Sequence, residues 1–101
     1  MAEHPNTSQE TLVGLVTDKY PGVRYWVARH PNTSIETLEV LATDKEYYVR
    51  CAVALNSNTP TETLNVLATD EDFDVRHWVT KNPNATEMIR RLVLMTNEQH
   101  S

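Results

Sequence analysis

The chain has 101 residues, one cysteine and a formal net charge of −5. This length predicts a single domain, 1–101, and no apolar run approaches the ~18 residues that a membrane-spanning helix needs. The negative charge argues against nucleic acid as a partner, because phosphate binding requires a basic face. Cys51 can form no internal disulfide, and no signal peptide is recognisable after Met1, so we expect a cytoplasmic protein without membrane contact.

Short sequence markers return along the chain every 26 residues. The tetrapeptides that begin at positions 4, 30, 56 and 82 read His-Pro-Asn-Thr, His-Pro-Asn-Thr, Asn-Ser-Asn-Thr and Asn-Pro-Asn-Ala. Glu-Thr-Leu recurs from positions 10, 36 and 62, and Val-Arg recurs from 23, 49 and 75. Such a period is typical of a stacked solenoid, in which each unit buries its apolar face against its neighbours. We divide the chain into units of about 4–29, 30–55, 56–81 and 82–101.

Each unit begins with a predicted helix. In the second unit, Thr33-Ser34-Ile35-Glu36 is interpreted as a capping box, in which the threonine hydroxyl accepts from the glutamate amide. The pattern also starts at Thr7 and at Thr59, where Pro60 is expected at the first helical position. In the fourth unit the capping pattern starts at Asn84, one residue earlier than the period requires, which predicts a one-residue deletion in that unit. The apolar residues that follow are spaced by three and four, as on one helix face: Leu12, Leu15, Val16, Leu38, Leu41, Ala42, Leu64, Leu67, Ala68, Ile89, Leu92 and Val93.

A second, shorter helix is predicted to follow the first. Val23, Trp26 and Val27 step by three and four, as do the matching residues of the next two units. A proline after residues 30 and 82 ends the segment, and its length of about two turns is compatible with a partly 3₁₀ helix. Trp26 and Trp78 are predicted in the core, and the column of Pro21, Tyr47 and Phe73 is predicted to be packed. The predicted fold is an all-α solenoid of alternating long and short helices.

The combined pattern Val-Arg-x-x-Val-Ala-x-x-Pro-Asn-Thr-x-x-Glu-x-Leu-x-x-Leu-Ala-x-Asp resembles the leucine-rich repeat variant family, a bacterial solenoid family. The best matches run from Val23 to Asp44 and from Val49 to Asp70. The resemblance implies a right-handed superhelix of α- and 3₁₀-like helices, a tendency to bind macromolecules, and no reaction. One architecture of that family adds a cysteine-ligated iron–sulfur module. A single cysteine cannot hold such a cluster, so no cofactor is expected.

Three arginines lie six residues after an aspartate of their own unit. These ladder residues are Arg24, Arg50 and Arg76 with Asp18, Asp44 and Asp70. In one interpretation the arginines grip an acidic peptide or a phosphate chain. In the other, each arginine spans neighbouring units and satisfies an aspartate or a buried carbonyl group. We favour the structural interpretation, because every internal unit needs such contacts whatever its ligand.

Motifs for catalysis and metal binding are incomplete. Residues 70–74 place carboxylates at alternate positions, as in the first half of an EF-hand loop, but Val75 stands where glycine is needed and Lys81 where glutamate is needed. The histidines lack metal-ligand spacing, Cys51 has no base beside it, and no glycine-rich phosphate loop is present. No set of nucleophile, base and acid can be assembled, so we predict no enzymatic activity and no metal.

Protein binding is the predicted function, with nucleic-acid binding through the arginine ladder as the alternative. The charge runs from +1 in the first unit to −3 in the third. Tyrosines near unpaired charges are favoured at interfaces, and the face formed by the second helices carries several. The candidate partner-binding residues are Tyr25, Glu46, Tyr48, Asp72 and His77. End-to-end self-association is a third possibility, with Val13 and Gly14 at one end and Leu94 and Met95 at the other.

Overall fold

The computed structural model describes residues 7–100. These residues form seven α-helices and no strand, and none of the helices is long and apolar enough to cross a membrane. The first-helix row consists of α1 (Gln9–Leu15), α3 (Ile35–Leu41), α5 (Thr61–Leu67) and α7 (Glu87–His100). The second-helix row consists of α2 (Pro21–Arg29), α4 (Tyr47–Leu55) and α6 (Phe73–Thr80). The predicted all-α repeat architecture is confirmed.

The core runs along the stack as columns of buried apolar side chains that recur from unit to unit. α4 packs between α2 and α6, and α7 packs on α6. The molecule is elongated, with principal extents of 41 × 24 × 18 Å. Each unit therefore buries its apolar face against the next one, as in a solenoid. The main columns are Leu12, Leu38 and Leu64; Leu41, Leu67 and Val93; and Val27, Val53 and Val79.

The prediction of a long first helix and a short, partly 3₁₀ second helix is wrong. α1, α3 and α5 have seven residues each, whereas α2 and α4 have nine, α6 has eight, and all are α-helical. Ala42 and Ala68 lie just beyond the first helices and are still buried. The turn there keeps a helical hydrogen bond, since the amide of Ala42 donates to the carbonyl of Leu38 at 2.9 Å. The apolar spacing thus continues past the helix end and cannot mark it.

The predicted capping boxes of the first three units are also wrong, because their helices start one residue later than predicted. Ser34 is the N-cap of α3, and its hydroxyl accepts from the amide of Thr37 at 3.2 Å. Ser8 does the same for α1. Thr33 is buried instead, and its hydroxyl donates to the carbonyl of Val27 at 2.5 Å. The threonine that precedes the cap therefore closes the end of the preceding helix.

The repeat frame is intact in the fourth unit, so the predicted deletion is wrong. Pro60 is the N-cap of α5 and not its first helical residue. Thr86 lies 26 residues after Pro60 and takes the same place in the fourth unit. Its hydroxyl accepts from the amide of Ile89, and its carbonyl accepts from the amide of Arg90 at 3.0 Å. Arg90 therefore occupies the column of the buried leucines Leu12, Leu38 and Leu64, but it is exposed.

Asparagine side chains join the bends of successive units. The Nδ2 of Asn56 donates to the carbonyls of Ala28 and His30, at 2.8 and 3.1 Å, and its Oδ1 accepts from the amide of Asn58 at 2.8 Å. Asn82 makes the same three contacts one unit later. Both side chains are buried. These asparagines satisfy carbonyl groups that the bends leave without helical partners.

In the first of these bends a histidine takes the place of the asparagine. The Nδ1 of His30 accepts from the amide of Asn32 at 3.0 Å, as an asparagine oxygen does in the later units. The imidazole also contacts Trp26 edge-on, with a centroid separation of 4.7 Å. His30 is therefore a structural residue of the bend. His4 of the first repeat marker lies outside the described residues.

Replacing Asn82 with alanine is expected to destabilise the fold by about 1–3 kcal/mol, because the buried carbonyl of Ala54 and the amide of Asn84 lose this partner and the carbonyl of Asn56 keeps only the Thr59 amide. The measurement is urea unfolding followed by circular dichroism. Asn65→Ala is the control, since Asn65 is exposed on α5 and its loss should change stability by no more than about 0.5 kcal/mol. Equal unfolding midpoints for the two variants would contradict the structural role of Asn82.

Candidate functional site

The arginine ladder lies between units. Arg24 donates from Nε and Nη2 to the carboxylate of Asp44, at 2.6 and 3.2 Å, and from Nη1 to the carbonyl of Asp18 at 2.7 Å. Arg50 repeats the arrangement with the carboxylate of Asp70 and the carbonyl of Asp44. Each arginine thus bonds a carbonyl of its own unit and a carboxylate of the next. The planar guanidinium suits this two-pronged contact with a carboxylate.

Arg76 departs from this scheme. Its Nη1 donates to the carbonyl of Asp70 at 2.7 Å, but its Nε donates at 2.6 Å to the side-chain oxygen of Asn97, a neutral amide. No carboxylate of residues 7–100 forms an ion pair with this buried guanidinium, which lies 5.7 Å from the ring centroid of Phe73. The third step of the ladder keeps two of the three hydrogen bonds of the earlier steps, and it lacks their ion pair.

The ladder arginines are poorly accessible to an outside ligand. The side chains of Arg24 and Arg50 are only 8% and 11% exposed. The hydrogen bond to Asp44 raises the pKa of Arg24, against the opposing effect of burial. A phosphate group could reach these guanidinium groups only by displacing Asp44 and Asp70.

The carboxylate of Asp44 is held in its charged form. Burial alone raises its pKa, but the hydrogen bonds from Arg24 and from the Glu46 amide, with the charges of Arg24 and Arg50, outweigh burial. The pKa of Asp44 is therefore lower than its ordinary value. Asp18 holds the same position in the first unit and accepts from the amide of Tyr20 at 2.9 Å. No arginine within residues 7–100 contacts the Asp18 carboxylate.

Aromatic rings cover the exposed side of the second-helix row. Tyr25 of α2 contacts Tyr48 of α4 with a centroid separation of 6.1 Å, and Tyr48 contacts Tyr47 edge-on at 5.8 Å. Rings of adjacent units therefore touch across the junction of α2 and α4. We call this surface the aromatic face, and its rings are Tyr25, Tyr47, Tyr48, Phe73, His77 and Trp78.

On α6 the same face carries a second group of rings. His77 stacks on Phe73 at a centroid separation of 6.2 Å and meets Trp78 edge-on at 5.0 Å. Phe73 is 57% exposed, Trp78 is 36% exposed, and His77 is half-buried. Large apolar rings thus face solvent along one turn and a half of this helix.

The prediction that Tyr47 and Phe73 are packed is wrong, as is the core prediction for Trp78. Tyr47 is 45% exposed, because it is the first residue of α4 and lies two residues before the buried Val49, on the opposite side of the helix. Trp78 is next to the buried Val79 in the sequence and lies at the border between the buried and the exposed sides of α6. Trp26 and Pro21 are half-buried. The exposure of these rings follows from the first residue of each helix, because that residue determines on which side of the helix every later side chain lies.

The structure places the five predicted binding residues on or beside this face. Tyr25 and Tyr48 are half-buried and in mutual contact, whereas His77 packs with rings of its own helix. Glu46 and Asp72 are the N-caps of α4 and α6. The Asp72 carboxylate caps α6 by accepting from the amide of Asp74 at 2.9 Å. The side chain of Glu46 makes no such hydrogen bond to α4.

Cys51 is buried beneath the aromatic face. Burial, and then the negative charges of Asp72, Asp74 and Asp70, raise its pKa to about 11, against the opposing charge of Arg50. The thiol is therefore protonated and unreactive near neutral pH. Among the residues that the structure describes, no three histidine, cysteine or acidic side chains are placed to hold a metal ion.

The family model described as leucine rich repeat variant matches residues 21–46 and 47–72. The two matched segments are adjacent and together cover more than half of the chain. Each begins at the first residue of a second-row helix and ends at the N-cap of the next one. Searches of curated proteins and of solved structures gave no match.

Asp44→Asn is expected to destabilise the fold by about 1–3 kcal/mol near neutral pH, because the ion pair is lost while an amide oxygen still accepts from Arg24. Since folding lowers the pKa of Asp44, its stabilising effect is present above a pH of about 4 and is lost as the pH falls through the lowered value. The difference between wild type and variant should therefore shrink on acidification. Urea unfolding at several pH values measures it.

Asp18→Asn is the matched control for this experiment. It keeps the oxygen that accepts from the Tyr20 amide, and it removes no contact with an arginine of residues 7–100. Its effect should be smaller and less dependent on pH. A constant difference between wild type and Asp44→Asn down to acid pH would rule out an ionised pair as the source of the stability.

Proposed function

The chain belongs to the leucine rich repeat variant family, and we propose that this helical repeat scaffold is a non-catalytic module that binds another protein through the aromatic face. The observation that carries the proposal is the recurrence of exposed rings on neighbouring helices. Tyr47 and Phe73 occupy equivalent positions on α4 and α6, which pack against each other. Large exposed apolar patches of this kind mark interaction surfaces in soluble proteins.

The chemistry of the rings supports a protein partner. Tyrosine, tryptophan and phenylalanine give a large contact area and lose little conformational entropy on binding, and they are enriched in the residues that dominate binding energy. Contacts between the rings restrict them further before a partner arrives. The proposed interface keeps Tyr25, Glu46, Tyr48, Asp72 and His77 and adds Tyr47, Phe73 and Trp78.

Nucleic-acid binding through the arginine ladder is the weaker proposal. The donors of Arg24 and Arg50 are engaged by carboxylates and carbonyl groups. The aromatic face is bordered by Glu46 and Asp72, which repel phosphate. Binding to a DNA or RNA oligonucleotide that weakens steeply between low and moderate salt would favour this alternative.

End-to-end self-association is supported by fewer residues. Leu94 and Met95 are exposed on α7, and Val13 is exposed on α1. Arg90 stands beside Leu94 where the other units have leucine, and its Nε donates to the carbonyl of Thr80 at 3.2 Å. This charged residue makes the α7 surface less suited to apolar stacking. A molar mass that rises with concentration in light scattering would support self-association.

A photo-crosslinking residue such as benzoylphenylalanine at position 47 or 73 is expected to capture a protein partner in the native host cell, because both side chains face solvent on the proposed interface. Positions 40 and 66 are the controls. Val40 and Val66 are 55% and 61% exposed, but they lie on the first-helix row. Equal yields of the same adducts from both rows would show that the aromatic face is not the binding surface.

Substitution gives a second test of the same face. Tyr47→Ser with Phe73→Ser should weaken binding of the captured partner about tenfold or more, because two central rings are lost. The thermal midpoint should fall only modestly, since both rings are about half exposed. These residues are preferable to Tyr48, which packs against the core. Val40→Ser with Val66→Ser should leave affinity unchanged. An unchanged affinity in the first variant would contradict the proposal.

A further inference from the structure

We propose that the occupant of the aromatic face is a basic segment of the partner protein, with an arginine or lysine side chain seated between the N-terminal halves of α4 and α6. This inference rests on the proposed function, since it identifies the chemistry of the partner at that same surface. Four features support it: the carboxylates without an ion pair, the change of side chains between successive helix junctions, the Tyr47 ring without a cation of its own, and the charge of the surrounding units.

The carboxylates at this part of the face form no ion pair within the described chain, although Glu46 and Asp72 act electrostatically on the ladder arginines Arg24 and Arg50. Glu46, Asp72 and Asp74 lie at the starts of α4 and α6, next to Tyr47 and Phe73 in the sequence. None of the three forms an ion pair with another residue of the range 7–100. The neighbouring ladder aspartates do have such partners, because Asp44 bonds Arg24 and Asp70 bonds Arg50. The unpaired charge is therefore concentrated at the edge of the rings.

The two helix junctions of the second-helix row differ at equivalent positions. Between α2 and α4, Tyr25 contacts Tyr48. One repeat later, between α4 and α6, these positions hold Cys51 and Asp74. Burial raises the pKa of the Cys51 thiol, and the charges of Asp72 and Asp74 add to this effect. A pair of rings is thus replaced by a small thiol and a carboxylate, which places a negative charge between exposed rings.

Aromatic rings of this protein already contact cations, and on the aromatic face the Arg76 guanidinium lies 5.7 Å from the centroid of Phe73. The Lys19 ammonium lies 5.3 Å from the centroid of Tyr20, and the Arg29 guanidinium lies 5.9 Å from that of Tyr25. No lysine or arginine among residues 7–100 lies over Tyr47 in this way. An exposed ring beside Glu46 is a favourable site for an external cation, since the ring face and the carboxylate both attract positive charge.

The charge of the surrounding units favours the same occupant. The second and third units carry −2 and −3, and they contain α4 and α6. A basic segment is attracted to this surface and steered towards it, whereas an acidic segment or a phosphate chain is repelled. The rings supply the contact area, and the carboxylates select the charge of the side chain that lies between them.

The test is selection of a random peptide library, displayed on phage, against the immobilised full chain. Peptides enriched in arginine or lysine are expected, and their affinity is then measured by fluorescence anisotropy. Asp72→Asn with Asp74→Asn should weaken binding by about two- to fivefold for each charge removed. Asparagine caps a helix as well as aspartate does, so α6 should remain folded. Circular dichroism of the variant checks this.

A charge-matched variant separates a local site from general attraction. Glu36→Gln with Glu62→Gln removes the same two charges from exposed positions of α3 and α5, on the first-helix row. It should leave the affinity for the selected peptides nearly unchanged. Equal weakening in both double variants would overturn the inference, because the peptides would then respond only to net charge.

The remaining outcomes distinguish the inference from the function on which it rests. Selected peptides without basic residues that lose affinity on Tyr47→Ser with Phe73→Ser would overturn the inference and leave the proposed function standing. The absence of any peptide that depends on Tyr47 and Phe73 would overturn both. Self-association of the chain that disappears in Asp72→Asn with Asp74→Asn would identify a second copy as the occupant, and the partner-protein assignment would then be wrong.

Discussion

A buried guanidinium group that bridges two units is the contact on which the rest of the stack depends. Arg24 and Arg50 each bond a carbonyl of their own unit and a carboxylate of the next, so a shift of one unit against another breaks several hydrogen bonds at once. Removing one partner of such a buried pair typically lowers the free energy of unfolding by about 3–5 kcal/mol. The intact pair, by contrast, stabilises the fold little more than a well-packed apolar pair does. The apolar columns supply most of the favourable free energy of burial, and the polar bridges fix how the units align. This alignment brings rings of separate units into one surface.

Much of this arrangement could be predicted from the sequence, because the repeat places equivalent residues in equivalent environments. The period and the apolar spacing predicted the helices and buried columns such as Leu12, Leu38 and Leu64. Helix ends could not be predicted, since the turn after Leu41 keeps Ala42 buried and continues the apolar pattern. The caps cannot be placed from the sequence where threonine and serine adjoin each other, because either hydroxyl is a suitable acceptor. Only the contacts of the bend distinguish Thr33 from Ser34.

The candidate site was harder to predict than the fold. Tyr25 and Tyr48 were identified as surface rings, but Tyr47 and Phe73 were not, because their exposure depends on the residue at which α4 and α6 begin. The asparagines Asn56 and Asn82 were visible only as repeat markers. Their donors reach carbonyl groups 26 and 28 residues earlier, a distance at which sequence spacing alone indicates no contact. A polar residue that recurs with the repeat and lies in a bend is therefore a good candidate for a hydrogen bond between units.

The hydrogen bonds that bridge the units run in a fixed direction along the chain, and this restricts how such a chain can change in length. Every ladder arginine bonds forward, to the unit that follows, and every bend asparagine bonds backward, to the unit that precedes. A copied stretch of 26 residues would bring both kinds of partner with it, whereas an insertion of any other length would separate them. Gene duplication in whole units is thus the compatible route to a longer protein. Each added unit would extend the aromatic face by one more second-row helix, and a substitution at its ring positions would change the chemistry of that face without disturbing the bridges.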